Sequence, residues 1–193
     1  HYTLFVENGR VKDDGDLRLM TGLREIARVH AGEYRITGNQ NVIIAGVPES
    51  GKPSIEGMLE DYGIHRPSHY TPLRLASMAC VAFPTCALAM AESERYLPDL
   101  ITKLERIMAD AGIGEQPIIV RMTGCPNGCA RPYLGEIGFT GRAPGKYDVY
   151  LGAGFQGQRL NKPYMSNVGE EKILEALEPI IRQYAGERRD GEP

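Results

Sequence analysis

SMACVAFPTC at residues 77–86 and TGCPNGC at residues 123–129 contain all four cysteines of this 193-residue chain. Cys80 and Cys86 have five residues between them, Cys125 and Cys129 have three, and a much longer stretch separates the two pairs. Four thiolates in two local pairs form a complete ligand set for one iron–sulfur cluster or one zinc ion. The pattern therefore predicts a metal or redox site in a reducing compartment rather than a disulfide framework.

The spacing within the pairs favours an iron–sulfur cluster over structural zinc. Zinc-binding pairs usually have two to four residues between the cysteines, a range that includes the second pair and excludes the first. Proline and Asn-Gly in the second motif let the chain curl, so that successive backbone N–H groups face anionic sulfurs. Strong helix formers after Cys86 predict a helix that begins there and directs its positive end at the site. Zinc, packing of free cysteines and disulfides stay open as alternatives.

Composition and charge indicate an ordinary globular protein. Hydrophobic residues make up 42% and charged residues 24% of the chain, close to the usual averages. The net charge of -3 and the pI of 5.9 give no electrostatic reason to expect nucleic acid or an anionic membrane as a partner. The sequence has no apolar run long enough for a transmembrane helix and no secretory pattern, so we expect a cytoplasmic protein. The N-terminus begins within a predicted strand and the C-terminus is a charged tail without an obvious structural ending, so we expect a piece of a longer protein.

Hydrophobic periodicity predicts an α+β chain with two domains, residues 1–64 and 65–193. The first domain has a β-α-β-β-α order, with strands near 2–7, 34–37 and 41–45 and helices near 21–30 and 55–62. The second has the helix after Cys86, then a helix near 98–111, strands near 118–122, 136–140 and 147–151, a glycine-rich loop at 152–157 and a helix near 170–185. Apolar neighbours of the first cysteine pair, with Met78 and Met90 packed close by, predict a site shielded from water.

Both cysteine motifs resemble those of the sulfite/nitrite reductase family. Further matching segments are residues 7–10, 21–27, 35–41 and 141–145, so the similarity extends over nearly the whole chain. The stretch from Gly152 to Tyr164 is closer to the NADPH-dependent assimilatory branch of the family. The resemblance implies a ferredoxin-like half-domain at residues 1–64, followed by an α/β cluster- and siroheme-binding domain at residues 65–193.

The resemblance also implies the cofactors and the reaction. In this family four cysteines hold a [4Fe–4S] cluster, and the last of them also ligates the iron of siroheme. Carried over by motif, the cluster ligands are Cys80, Cys86, Cys125 and Cys129. Cys129 would then link the two cofactors and act as the catalytic residue of an oxidoreductase that reduces sulfite to sulfide with six electrons.

Three more residues are candidate cofactor contacts. Thr123 precedes the second cysteine loop, where a plain strand-end role is the favoured alternative, and Asn127 lies within the loop, where turn formation is the alternative. Gln40 lies in a segment whose counterpart in the other half of the family's proteins faces the cofactors. Hydrogen bonding within its own half-domain is the alternative for Gln40.

The resemblance covers only the second of two pseudo-symmetric halves. The implied partners are therefore the N-terminal half of the same haemoprotein, which supplies the basic residues for sulfite, and a flavoprotein with FAD and FMN that delivers electrons from NADPH. The sequence shows no compact Arg/Lys cluster near the cysteines, so we expect this chain alone to be inactive. A ferredoxin-dependent sulfite or nitrite reductase and a non-enzymatic structural zinc module with four cysteine ligands are the alternatives.

Overall fold

The computed structural model describes residues 1–189 and divides the chain into two compact units, which meet between Tyr70 and Thr71. This division lies within the polar connection of the sequence and six residues after the end of the predicted first domain. Residues 190–193, the end of the predicted second domain, lie outside the described residues. The functional assignment of the two predicted domains stays a prediction.

The first unit combines an antiparallel three-stranded sheet with two helices. Its elements are β1 (Tyr2–Leu4), β2 (Asp13–Asp14), β3 (Leu17–Arg18), α1 (Leu19–Val29), β4 (Glu33–Ile36), β5 (Val42–Ala45) and α2 (Lys52–Asp61). Strand β5 lies between β1 and β4. Leu4, Ile26, Ile44, Ile55 and Leu59 are among the buried residues that form its core. The predicted β-α-β-β-α order is confirmed, with one addition.

The addition is the short hairpin of β2 and β3, where the sequence predicts only a polar loop. Asp14 pairs with Leu17 across a turn in which Gly15 has a φ of 57°. The Asp13 carboxylate accepts hydrogen bonds from the backbone N–H and the hydroxyl of Thr21, at 3.0 and 2.6 Å. Asp13 therefore has a structural role and ties the hairpin to the first turn of α1.

The second unit is built on a five-stranded mixed sheet. Its elements are α3 (Pro72–Leu75), β6 (Met78–Ala79), α4 (Leu97–Asp110), β7 (Val120–Thr123), β8 (Ile137–Ala143), β9 (Lys146–Leu151), β10 (Lys162–Val168) and α5 (Glu170–Glu187). The strand order is β10-β9-β8-β7-β6. Strands β6, β7 and β8 run parallel to one another, whereas β9 is antiparallel to β8 and β10 is antiparallel to β9.

Two amphipathic helices supply much of the core of this unit. The α4 helix buries Leu100, Leu104 and Met108 on one face, and α5 buries Ile173 and Leu177. These side chains belong to one buried cluster with residues of β7, β8 and β9. Apolar residues three or four positions apart dictate this arrangement, and both helices agree with their predicted positions. Among residues 1–189, every helix is too short or too polar to cross a bilayer.

The helix predicted to begin at Cys86 is wrong. The chain forms turns and bends from Cys86 to Tyr96. The backbone N–H groups of Met90 and Ala91 donate to the carbonyl of Gly124, at 2.8 and 3.0 Å, instead of to carbonyls four residues earlier. Helix propensity amounts to a few tenths of a kcal/mol per residue, so hydrogen bonds to a neighbouring loop override it.

Strand β10 has no counterpart in the sequence prediction. It lies at the edge of the sheet, and its pairing with β9 has register shifts around Met165. Pro163 has no backbone N–H to donate to the ladder with β9, and most side chains of β10 are exposed. A strand without apolar alternation carries no period-two signal, and edge strands commonly have this character.

Candidate functional site

Both cysteine loops leave the sheet at the same edge. Ala79, the last residue of β6, pairs with Met122 of the parallel strand β7, and the N–H of Cys80 continues the ladder by donating to the Met122 carbonyl at 3.1 Å. Cys125 follows β7 after Thr123 and Gly124. Because the carboxyl ends of neighbouring parallel strands meet at one edge, the first cysteine of each pair lies beside the other loop.

The clearest link between the two loops is a hydrogen bond to sulfur. The backbone N–H of Gly124 donates to Sγ of Cys80 at 3.3 Å. Gly124 lies between β7 and Cys125, so this hydrogen bond joins the loop after β7 directly to the first cysteine of the other pair.

Gly124 lies where no side chain fits. A Cβ atom at this position would be 2.5 Å from Cβ of Ala82 and 2.6 Å from the carbonyl oxygen of Ala91. A Cβ on Gly141 of β8 would in turn be 2.8 Å from Cβ of Ala91 and would overlap the carbonyl of Gly124. The two glycines therefore allow the loop after Cys80, the end of β7 and the strand β8 to approach one another closely.

Each cysteine motif curls sharply. In the first, the N–H of Cys86 donates to the carbonyl of Ala82 at 2.8 Å, and Ala82 has a φ of 44°. In the second, Gly128 has a φ of 70° and its carbonyl accepts from the N–H of Arg131 at 2.8 Å. The curl predicted from the Asn-Gly pair is present, with the positive φ angle at the glycine.

The predicted shielding of the site is wrong in part. Cys125 is buried, Cys80 and Cys86 are half-buried, and Cys129 is exposed. Ala79, Ala82 and Met78 are buried as predicted, but the exposed fractions of Val81, Leu88 and Met90 are 43%, 67% and 41%. The segment from Cys80 to Ala91 therefore combines the buried Ala82 with three exposed apolar side chains.

The thiols do not yet form a metal-binding group. Within residues 1–189, no three His, Cys, Asp or Glu side chains are arranged so that they could hold a metal ion. The backbone nevertheless places both cysteine loops at one edge, and four soft thiolates are the donor set that iron–sulfur clusters require. The residues fit such a cluster in donor type and in strand geometry, and ligation requires the side chains of the loops to close around it.

The other predicted site residues occupy three different settings. Thr123 is fully buried, and its hydroxyl donates to the carbonyl of Phe139 in β8 at 3.4 Å. Asn127 is exposed at the tip of the loop between Cys125 and Cys129. Gln40 lies in the first unit with a φ of 65°, packed against Gly9. The cofactor contacts of Thr123, Asn127 and Gln40 stay predictions.

Two arginines next to the cysteine loops were not predicted. Burial of the Arg121 guanidinium, together with the nearby charge of Arg131, lowers the pKa of Arg121 to about 10. Nη2 of Arg131 lies 3.7 Å from Sδ of Met78, the first residue of β6. The two arginines come together only through the folding of the loop after Cys129, so the sequence alone does not pair them.

Known proteins resemble this chain along its whole length. The nitrite/sulfite reductase ferredoxin-like half domain matches residues 1–62. Over 192 residues the chain is 62% identical to the sulfite reductase [NADPH] hemoprotein beta-component of Staphylococcus saprophyticus and 58% identical to that of Bacillus subtilis. The chain is therefore similar to sulfite/nitrite reductases over its full length. Both comparisons cover 100% of this chain and 34% of the relative, so the chain spans about a third of the length of these curated relatives.

A solved structure supports the fold. The NirA protein of Mycobacterium tuberculosis matches with a TM-score of 0.76 at 24% sequence identity, over 99% of this chain and 36% of that chain. At this identity the similarity concerns the fold alone. The predicted resemblance to sulfite/nitrite reductases and the predicted α+β fold are therefore confirmed.

Gly124→Ala tests whether the close approach of the loops holds the site together. The added Cβ would displace the segment that contains Ala82 and Ala91, at a cost of about 1–3 kcal/mol in the free energy of unfolding. We expect faster alkylation of Cys80 and Cys86 and a lower urea midpoint. Gly186→Ala is the control, because a Cβ there meets no atom within 4 Å. Equal stability and equal alkylation rates in the two variants would contradict the geometry.

Proposed function

We propose that this chain is the cluster- and siroheme-holding part of an assimilatory, NADPH-dependent sulfite reductase haemoprotein. The observation that carries the proposal is the contact between the two cysteine loops, where the N–H of Gly124 meets Sγ of Cys80 one residue before Cys125. Identities near 60% over the whole chain to proteins named as sulfite reductase hemoproteins support the same conclusion.

In this proposal Cys80, Cys86, Cys125 and Cys129 would hold a [4Fe–4S] cluster. Cys129 would also reach the iron of siroheme, and its exposed position leaves room for this second ligation. When bound, the two cofactors supply the electrons and the iron centre for reducing sulfite to sulfide with six electrons and six protons.

The chain's own residues position the thiols and form the surface around them. The Gly124 N–H donates to Sγ of Cys80, and Arg121 and Arg131 lie in the strand before and the loop after the second cysteine pair. Exposed apolar side chains near the cysteine loops, those of Val81, Leu88 and Met90, form a surface suited to the face of a macrocycle. A macrocycle bound on this surface would exclude water from the cysteine loops, which are partly exposed without it.

The remaining candidate contacts receive unequal support. Asn127 is exposed at the tip of the second cysteine loop, which suits a contact with the edge of siroheme. The hydrogen bond from Thr123 to Phe139 favours the strand-end role for that residue. For Gln40, the packing against Gly9 within the first unit favours the structural role.

The reaction requires parts that this chain does not contain. Because the chain spans about a third of its curated relatives, the rest of the haemoprotein would supply the basic residues that bind sulfite. A flavoprotein with FAD and FMN would deliver electrons from NADPH, and the name beta-component of the relatives is consistent with a second component. Four free thiols suit a reducing compartment such as the cytoplasm.

Anaerobic reconstitution with iron and sulfide tests the cluster. We expect a brown protein with about four irons per chain and an EPR signal of a reduced cubane cluster, because four thiolates ligate one such cluster. Cys125→Ser should lose the cluster, whereas Thr85→Ser, an exposed non-ligand within the first motif, should keep it. A colourless protein with one zinc ion, or four free thiols and no iron, would contradict the proposal.

Cys129→Ser in the full-length haemoprotein tests the shared ligand. We expect the siroheme optical and EPR spectra to lose their coupling to the cluster, because one sulfur would connect the two metals. The free energy of unfolding of the metal-free protein, measured by urea titration, should change by less than about 1 kcal/mol, since Cys129 is exposed. Siroheme spectra equal to those of the wild type would show that Cys129 is not the bridge.

A further inference from the structure

Three of the four residues from Ala91 to Glu94 are buried, although this segment has no regular secondary structure. Ala91 and Ser93 are fully buried, and Glu94 is nearly so. This segment lies between Cys86 and the start of α4. Without a helix or strand ladder, its position depends on a few individual hydrogen bonds, and two of them come from side-chain hydroxyls.

Ser93 shares an acceptor with Cys80. The hydroxyl of Ser93 donates to the carbonyl of Met122 at 2.8 Å, and the same carbonyl accepts the N–H of Cys80 at 3.1 Å. The N–H of Glu94 also donates to the carbonyl of Cys80 at 3.0 Å. Ser93 therefore anchors the segment to β7 at the point where the backbone of Cys80 is fixed.

Tyr147 reaches the same segment from β9. Its hydroxyl donates to the carbonyl of Glu92 at 2.8 Å, and its ring is buried and stacked on that of Tyr96 with centroids 5.4 Å apart. Burial raises the pKa of Tyr147, so the hydroxyl keeps its proton and remains a donor.

The register of the sheet makes this reach possible. Tyr147 pairs with Gly141 across the ladder of β8 and β9. A Cβ at Gly141 would be 2.8 Å from Cβ of Ala91, so its absence lets the segment lie close to the sheet. Gly141 therefore allows the segment before α4 to pack closely against β8, next to the cysteine loops.

We propose that Tyr147 and Ser93 are positioning residues, whose hydroxyls fix the carbonyls of Glu92 and Met122 and so hold the Cys80–Cys86 loop beside the loop of Cys125. The role of these hydroxyls in cluster binding rests on the proposed function, whereas the hydrogen bonds themselves are present in the chain without a cofactor. Neither hydroxyl touches the cofactors in this scheme. Each acts through the backbone that carries the first pair of ligands.

The test compares Tyr147→Phe and Ser93→Ala with the wild type in the complete chain. The first variant keeps the buried ring and removes only the hydroxyl. Tyr164→Phe and Ser54→Ala are the controls, because both side chains are exposed. After reconstitution, iron loss to an excess of chelator should be about two- to tenfold faster in the two test variants, as expected from the loss of one hydrogen bond.

A second measurement uses the metal-free chain. Mass spectrometry after timed alkylation should show faster modification of Cys80 and Cys86 in the test variants, and an unchanged rate at Cys125. Faster modification of all four thiols together with a lower urea midpoint would indicate general destabilisation and overturn the inference. Rates equal to those of the wild type at every cysteine would overturn it as well.

The two measurements separate this inference from the proposed function. If the wild-type chain takes up no iron, the cluster proposal fails, and the alkylation rates alone decide whether the hydroxyls hold the loop. If the wild type holds a cluster that both variants retain equally well, with equal alkylation rates, the positioning role fails and the cluster proposal stands.

Discussion

The parallel pairing of β6 with β7 is the constraint on which the candidate site depends. Strand β6 has only two residues, yet it places Cys80 opposite the end of β7 and directs its sulfur at the N–H of Gly124. So short a ladder supplies little stability by itself. The surrounding contacts therefore matter, namely the close approach at Gly124 and the hydroxyls of Ser93 and Tyr147.

The same edge has a second property, which is the contrast between its backbone and its side chains. The backbone is fixed by hydrogen bonds and by glycines, whereas the thiol of Cys129 and the side chains of Leu88 and Val81 are exposed. A backbone that is already fixed, with cysteine side chains that are not yet grouped around one point, suits a site that is completed when the cofactor and the rest of the protein bind. Metal binding and local ordering would then be coupled, as in other thiolate sites.

The sequence predicted what depends on local pattern. The amphipathic helices α1, α4 and α5 and most strands follow from apolar spacing, and the two cysteine motifs identified the family. It failed where distant contacts decide: residues 86–96 form no helix, and Met90 and Ala91 donate to the carbonyl of Gly124 instead. The edge strand β10 has no alternation, and the approach of Arg121 to Arg131 exists only after folding.

The most direct test is the location of iron in a crystal of the reconstituted chain, measured by anomalous diffraction at the iron edge. The account predicts one compact group of iron peaks between the loop after β6 and the loop after β7, within bonding distance of all four cysteine sulfurs. Iron at two separate places, or a compact group that contacts only one of the two cysteine pairs, would contradict it.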